Sequence, residues 1–193
     1  MAAFVDDDVQ VSSATAARCL ILSGAPGAGK TTVARLVAGS LAQSAHVGGD
    51  EVGLMVASGS VGPVGEPRAE AERQLLIRAH NICGLANNFA AFGFYPVLDH
   101  VVPNRQVLDL VVGLLTPRPV LFVTLAPTLQ VAAARNAGRP VPERVDGTFT
   151  ALRQEMSAEL ATVGWWFDTS ALTAVQTATT IRAQAQTRAV LRT

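Results

Sequence analysis

Gly24-Ala25-Pro26-Gly27-Ala28-Gly29-Lys30-Thr31 is a complete match to the pattern G-x-x-x-x-G-K-[ST]. Lys30 is the only lysine of the chain; the other basic residues, of 15 in all, are arginines. An ammonium is a compact point charge, and from this position its stem reaches over the loop to the β- and γ-phosphates of a nucleotide. The flanks agree. Cys19-Leu20-Ile21-Leu22-Ser23 is a short apolar run that reads as a buried strand, and Thr31 to Ala38 carries apolar positions 33, 36 and 37 at helical spacing. Strand, glycine turn and helix bring successive backbone N–H groups and a helix N-terminus onto one anion. Gly24, Ala25, Pro26, Gly27, Ala28, Gly29, Lys30, Thr31 and Thr32 are therefore the expected nucleotide cradle. Thr31 offers its hydroxyl to Mg²⁺, and Thr32 is the candidate contact to the α-phosphate.

Outward from this turn, strand-like and helix-like stretches alternate. Ala45 to Gly48 reads as a second strand ending at Gly49-Asp50-Glu51, and Ser58 to Pro67, rich in Gly, Pro and Ser, as a loop. Glu66 to about Ala91 has the spacing of the longest helix, with Glu66 and Glu70 in its first turn. Phe94 to Asp99 is a third strand, made less regular by Pro96, and Asn104 to Leu115 a helix. Val120 to Leu125 is the clearest strand of all. Helices follow over Pro127–Ala137 and Thr148–Leu160, then a short strand over Trp165–Asp168 and a closing helix over Thr173–Leu191. Such alternation implies right-handed crossovers and an α/β fold, a parallel sheet with helices on both faces. A ligand then lies at the carboxyl ends of the strands, where the glycine turn, Asp50 and Asp99 all fall.

Asp99 ends its apolar strand as a Mg²⁺-holding acid would, although a strand-end cap has the same appearance. Its neighbour is His100, where many ATP-hydrolysing machines carry a glutamate. Asp50 is the candidate general base, facing the γ-phosphate across an acceptor pocket; its plainer role is to cap a helix that begins there. Arg135, Arg139 and Arg144 stand where a helix gives way to a Gly/Pro loop. Arginines on such a lid neutralise charge that grows on a transferring phosphoryl group, Arg135 and Arg139 ahead of Arg144. The bland alternative pairs them with Glu143 or Asp146. Any of Arg68, Arg73, Arg78, His80, Asn81, Asn87 and Asn88 could grip an acceptor, but most are read as the solvent face of the long helix, and Trp165-Trp166 as packing.

Composition narrows the classes. With 193 residues, one domain is expected: a tail over residues 1–17, then a single unit over 18–193. Hydrophobic residues make up 49% and charged ones 16%, as a sheet buried on both faces requires. Formal net charge is zero, which gives no footprint for nucleic acid. No apolar run approaches membrane length, the acidic start is unlike a signal peptide, and Cys19 and Cys83 make no disulfide or metal framework. The expectation is a cytoplasmic enzyme.

Taken together, the glycine turn, Asp50, Asp99 and the arginine loop resemble the small P-loop kinases that phosphorylate metabolites or antibiotics. Chloramphenicol phosphotransferase, gluconate kinase-like and tunicamycin-resistance-type proteins belong to that group, and the resemblance runs from about residue 18 onward. It implies a five-stranded parallel sheet in order 2-3-1-4-5. It also implies ATP and Mg²⁺ as cofactors, Thr31 and Asp99 at the metal, Asp50 as base, and Lys30, Arg135 and Arg139 at the transferring phosphate. The lid is then about 136–147 and the acceptor region about 50–92. The expected partner is a small molecule bearing a hydroxyl. Two other functions stay open: a nucleoside or nucleotide kinase, which needs further arginines or a base-selective pocket between residues 50 and 95 and which Arg68, Arg73 and Arg78 leave open, and an ATP-binding switch or ATPase. A guanine-reading N-K-x-D is impossible, since Lys30 is the sole lysine.

Overall fold

Five short strands, β1 (Cys19–Ser23), β2 (Ser44–Gly48), β3 (Tyr95–Asp99), β4 (Val120–Leu125) and β5 (Trp165–Phe167), form one sheet in the order β2-β3-β1-β4-β5. All four pairings are parallel. This computed structural model describes residues 18–63, 65–141, 144 and 149–191. The expected tail, 1–17, and the lid residues 142, 143 and 145–147 lie outside the described residues, and with them the alternative partners Glu143 and Asp146.

Seven helices among the described residues cover the sheet: α1 (Lys30–Gly39), α2 (Gly49–Gly53), α3 (Arg68–Ala91), α4 (Arg105–Leu114), α5 (Leu129–Ala137), α6 (Phe149–Leu160) and α7 (Ala174–Arg188). Side chains alternate across a strand, so each strand feeds two cores. Ile21, Leu98 and Phe122 face Ile82, Cys83 and Ala86 of α3 and Leu108 and Val111 of α4. Leu20, Leu22, Val97, Leu121 and Val123 face Val33 and Val37 of α1 and Ile181 and Ala185 of α7. Every residue of β1 and β4 is buried, which explains why they are apolar at all positions but Ser23 and Thr124. Cys19 and Cys83 are buried and unbridged.

Most boundaries differ from expectation by a residue or two, and three departures have a local reason. The long helix begins at Arg68, because Pro67 is its extended N-cap and disfavours helix in the residue before it. Glu66 therefore lies outside the first turn and accepts the Arg68 N–H at 2.9 Å. The last helix stops at Arg188, where the chain turns to lay Val190 antiparallel against Leu121. Thr173 caps its start, with Gln176 completing a capping box. β3 is regular through Pro96, which pairs with Ala45 of β2; pairing with β1 begins only at Val97.

Candidate active site

The turn between β1 and α1 is shaped by glycines that no other residue replaces. Gly27 has φ 80°, and a Cβ there would lie 2.9 Å from the Ala132 carbonyl carbon. Gly29, with φ 92°, is the N-cap of α1, and a Cβ there would enter open space. That open space at the N-terminus of a helix, whose first N–H groups have no partner within the helix, fits a phosphate. Lys30 is half-buried and donates to the Ala25 carbonyl oxygen at 3.4 Å, a weak bond that an anion would displace. Burial pulls its ammonium pKa below the usual value; Asp99 and Asp50 oppose that, and Arg139 adds to it.

Asp99 comes to the site because β3 lies beside β1, with Asp99 level with Leu22 and with Gly48 of β2. It is 6% exposed. Burial acts to raise its pKa, but His46, the Lys30 charge and the Thr31 hydroxyl outweigh burial and hold it low, so it is a carboxylate. His46 Nε2 stands 3.9 Å from Asp99 Oδ2, and His46 Nδ1 stands 3.9 Å from Glu51 Oε2. Thr31 and Asp99 are thus neighbours, as a shared Mg²⁺ would need. No cluster of three or more His, Cys, Asp or Glu among the described residues could hold a metal. The oxygens of a bound nucleotide would have to complete the coordination.

Backbone bonds fasten the segment after β3 to β1. The His100 N–H donates to the Leu22 carbonyl at 3.1 Å, and the Val102 N–H donates to the buried Ser23 Oγ at 2.9 Å. His100 itself is buried. Burial and then the Arg78 charge lower its pKa to about 4. It is a packed neutral ring at physiological pH. The sign of its effect follows: between pH 6.5 and 4 the unfolded chain binds a proton that the folded chain refuses. Stability is full above about pH 6.5 and falls by about 3 kcal/mol as pH drops towards 4. The thermal midpoint of ligand-free protein should fall over this interval, and His100→Gln should flatten that fall.

Asp50 lies in the first turn of α2, whose N-cap is Gly48, so Asp50 is not the cap of that helix. Its side chain is 88% exposed and open to a substrate; Arg78 Nη1 stands 3.3 Å from its Oδ1. Glu51 is bound by Arg35 instead. Of the helix α3 arginines, Arg68 pairs with Glu72 at 3.0 Å and Arg73 with Glu70 at 2.7 Å, both on the outer face, and Arg78 alone turns inward. Leu54 and Met55, in the glycine-bearing apolar run after Asp50, are 81% and 69% exposed and so are not core.

A cavity of about 350 Å³ lies on the other side of the turn. Gly27 to Gly29, Thr32, Arg135, Arg139, Leu172 and Thr173 are among the residues that line it. Arg135 Nη2 donates to the carbonyls of Thr169 (3.1 Å) and Leu172 (3.2 Å), which ties α5 to the loop after β5. In this structure Arg135 is thus committed to backbone on the side away from Asp50, whereas Arg139 is the arginine whose charge reaches Lys30. Arg144 is exposed and donates to the Arg139 carbonyl at 2.9 Å. Trp165 is buried, and Trp166 lies under Arg153, whose Cζ is 4.7 Å from the ring centroid. Asp168 accepts from Ser170 within its own turn.

His46 is not indicated by sequence as part of the site, and Arg78 only as one of several helix residues that could grip an acceptor. Arg78 was detectable: it falls on the inward stripe of α3 with Ala71, Ile82 and Ala86. His46, one polar residue in a five-residue strand, gave no signal.

The model of the chloramphenicol phosphotransferase-like protein family matches residues 17–186. No curated protein matches the chain. Among solved structures, a sugar kinase from Janibacter sp. is similar at 18% identity and a TM-score of 0.61, over 89% of this chain and 93% of that one. The Deinococcus radiodurans tunicamycin resistance protein is similar at 19% identity and TM-score 0.61, over 92% and 99%. Shikimate kinase from Acinetobacter baumannii, solved with shikimate, is similar at 17% and TM-score 0.57, over 86% and 91%. At these identities the likeness establishes the fold. No helix among the described residues is long and apolar enough to cross a membrane.

Proposed function

The chain belongs to the chloramphenicol phosphotransferase-like family and is a P-loop kinase, and from that premise we propose that it transfers the γ-phosphate of ATP to a hydroxyl of a small molecule, a metabolite or an antibiotic. One observation carries the reading: the sheet register sets Asp99 beside the strand that leads into the glycine turn and level with Gly48, so that Lys30, Asp99 and Asp50 gather at one end of the sheet, with Arg139 lining the cavity against the turn. A cation for the phosphates, an acid for the metal, an exposed carboxylate and an arginine are the parts that phosphoryl transfer uses.

In this reading the glycine turn and Lys30 hold the β- and γ-phosphates, Thr32 and Arg135 flank the rest of the nucleotide, and Arg139 closes on the transferring phosphate. Mg²⁺, held by Thr31 and Asp99, would neutralise phosphate charge. The acceptor hydroxyl gives its proton to the Asp50 carboxylate as its oxygen bonds to the γ-phosphorus. The bond from that phosphorus to the bridging oxygen breaks, and ADP leaves with the electron pair. Asp50 later releases the proton to water. A single domain acting in the cytoplasm, where ATP is supplied, completes the proposal.

A nucleotide kinase would need arginines for a second phosphate group, and Arg68 and Arg73 are engaged with glutamates on the outer face of α3. A switch or ATPase would need a group that activates water beside Asp99, and a packed neutral histidine is there. The test is ADP release with and without a panel of hydroxylated metabolites, nucleosides and antibiotics. Acceptor-stimulated release with a phosphorylated product is expected. Acceptor-independent turnover that survives Asp50→Ala would count against the assignment. Arg139→Ala should lower kcat by about a hundredfold, the loss typical of one transition-state donor, and raise the KM for ATP much less. Unchanged steady-state kinetics would remove Arg139 from the site.

A further inference from the structure

We propose that Arg78 reads the acceptor, holding Asp50 with one nitrogen while another N–H of the same guanidinium binds an oxygen on the carbon next to the reacting hydroxyl. The preferred acceptors are then compounds with oxygens on two adjacent carbons. This rests on the reading of Asp50 as the base that receives the hydroxyl proton.

The inference starts from where α3 sends Arg78. Its side chain is 19% exposed, and Nη1 meets Asp50 Oδ1 at 3.3 Å. A guanidinium has five N–H donors in a rigid fork. The buried Nε has no hydrogen-bond partner in the structure, so the group is held short of its donor capacity. The fork lies flat against Gly53, at the end of α2. A Cβ on Gly53 would sit 2.7 Å from Arg78 Cζ and 2.8 Å from Nε, and nearer still to Nη2. Glycine at this position therefore makes room for the guanidinium beside the base. A fork with one arm on the base and N–H donors left over on its other arm is suited to grip two neighbouring oxygens at a fixed spacing.

Charge limits what the second oxygen can be. Arg78 and Asp50 cancel, so an anionic acceptor would bring a second negative group to a cation already shared. A neutral hydroxyl or carbonyl oxygen suits the pair better, because its lone pairs satisfy the donor without repelling Asp50.

The test uses the full chain and matched alcohols at one Mg-ATP concentration: 1-phenyl-1,2-ethanediol against 2-phenylethanol, and glycerol against 1,3-propanediol. In each pair both members carry a primary hydroxyl and only the first has an oxygen on the adjacent carbon. The native protein should favour the first member by about tenfold or more in kcat/KM, since a site built to bond an oxygen rejects the analogue without it. Arg78→Met should reduce that ratio towards one. A ratio divides out any general loss of activity, which a purely structural role would produce. Should Arg78→Met not yield folded protein, Gly53→Ala takes its place. It displaces only the tip of a flexible side chain and is expected to lower the same ratio. Phosphorylation without a preference, or a preference that survives the substitution, overturns the Arg78 assignment and leaves the kinase reading standing. If no alcohol of the pairs or of the wider hydroxyl panel raises ADP release, the kinase reading falls and this one with it.

Discussion

Replacing Lys30 with alanine is expected to lower phosphotransfer by about a thousandfold or more. Lys30 is the sole lysine, and its ammonium is held where burial disfavours its charge. A cation kept in such a place has an unmet need for a negative partner, and the γ-phosphate supplies it most fully when charge shifts during transfer. Stability should move the other way. A lysine whose folded pKa is lowered opposes folding at neutral pH, because the unfolded chain holds the proton more readily. Lys30→Ala protein without nucleotide should therefore melt at the same temperature as the native chain or slightly higher. Measuring product formation beside the melting midpoint separates the two effects. A variant that keeps more than about a tenth of native transfer would contradict the role given to this residue.

The second large effect belongs to Asp50. Asp50→Asn keeps the shape of the side chain and its bond with Arg78 but removes the basic oxygen. A positioned base contributes about a hundredfold to ten-thousandfold, and kcat should fall within that range. Because the Asp50 side chain is 88% exposed and lies away from the cavity that would take the nucleotide, the KM for ATP should change little. The fold should not notice the change either. Single-turnover measurement of the phosphorylated product is the decisive assay, since slow product release would mask a chemical defect in steady state. An Asn variant with native single-turnover rates would mean that another group, or solvent, takes the proton.

The elements nearest the glycine turn were the most legible before any coordinates. Residues 19–23 and 120–125 read as strands over the observed bounds because both are buried on both faces and are apolar but for Ser23 and Thr124. The closing helix read too long, since Val190 is as apolar as a helical residue but is used as a bridge to Leu121. α2 has five residues, two of them glycine, too few to show a period; sequence could offer it only as a possible helix start at Asp50. Within the site, residues close to a motif were easy to nominate. Pairings across the fold were not. Arg78 meets Asp50 from 28 positions away, and Arg135 meets Thr169 from 34 positions away. Such contacts follow from how α3 and α5 rotate against the sheet, and charge alone does not separate Arg78 from Arg73. The strand order 2-3-1-4-5 came through resemblance, because alternation of strands and helices fixes direction but not sequence of neighbours.

The two bonds that pin the segment after β3, His100 N–H to Leu22 and Val102 N–H to Ser23, brace the end of the Asp99 strand to the strand that leads into the glycine turn. In the proposed reading the carboxylate side of the site is thereby fixed to the side that would receive ATP before either substrate arrives. Neither visitor has to build the other's seat. In kinetic terms, such a scaffold favours addition in either order, with a ternary complex reached by two routes and concentration deciding which is travelled.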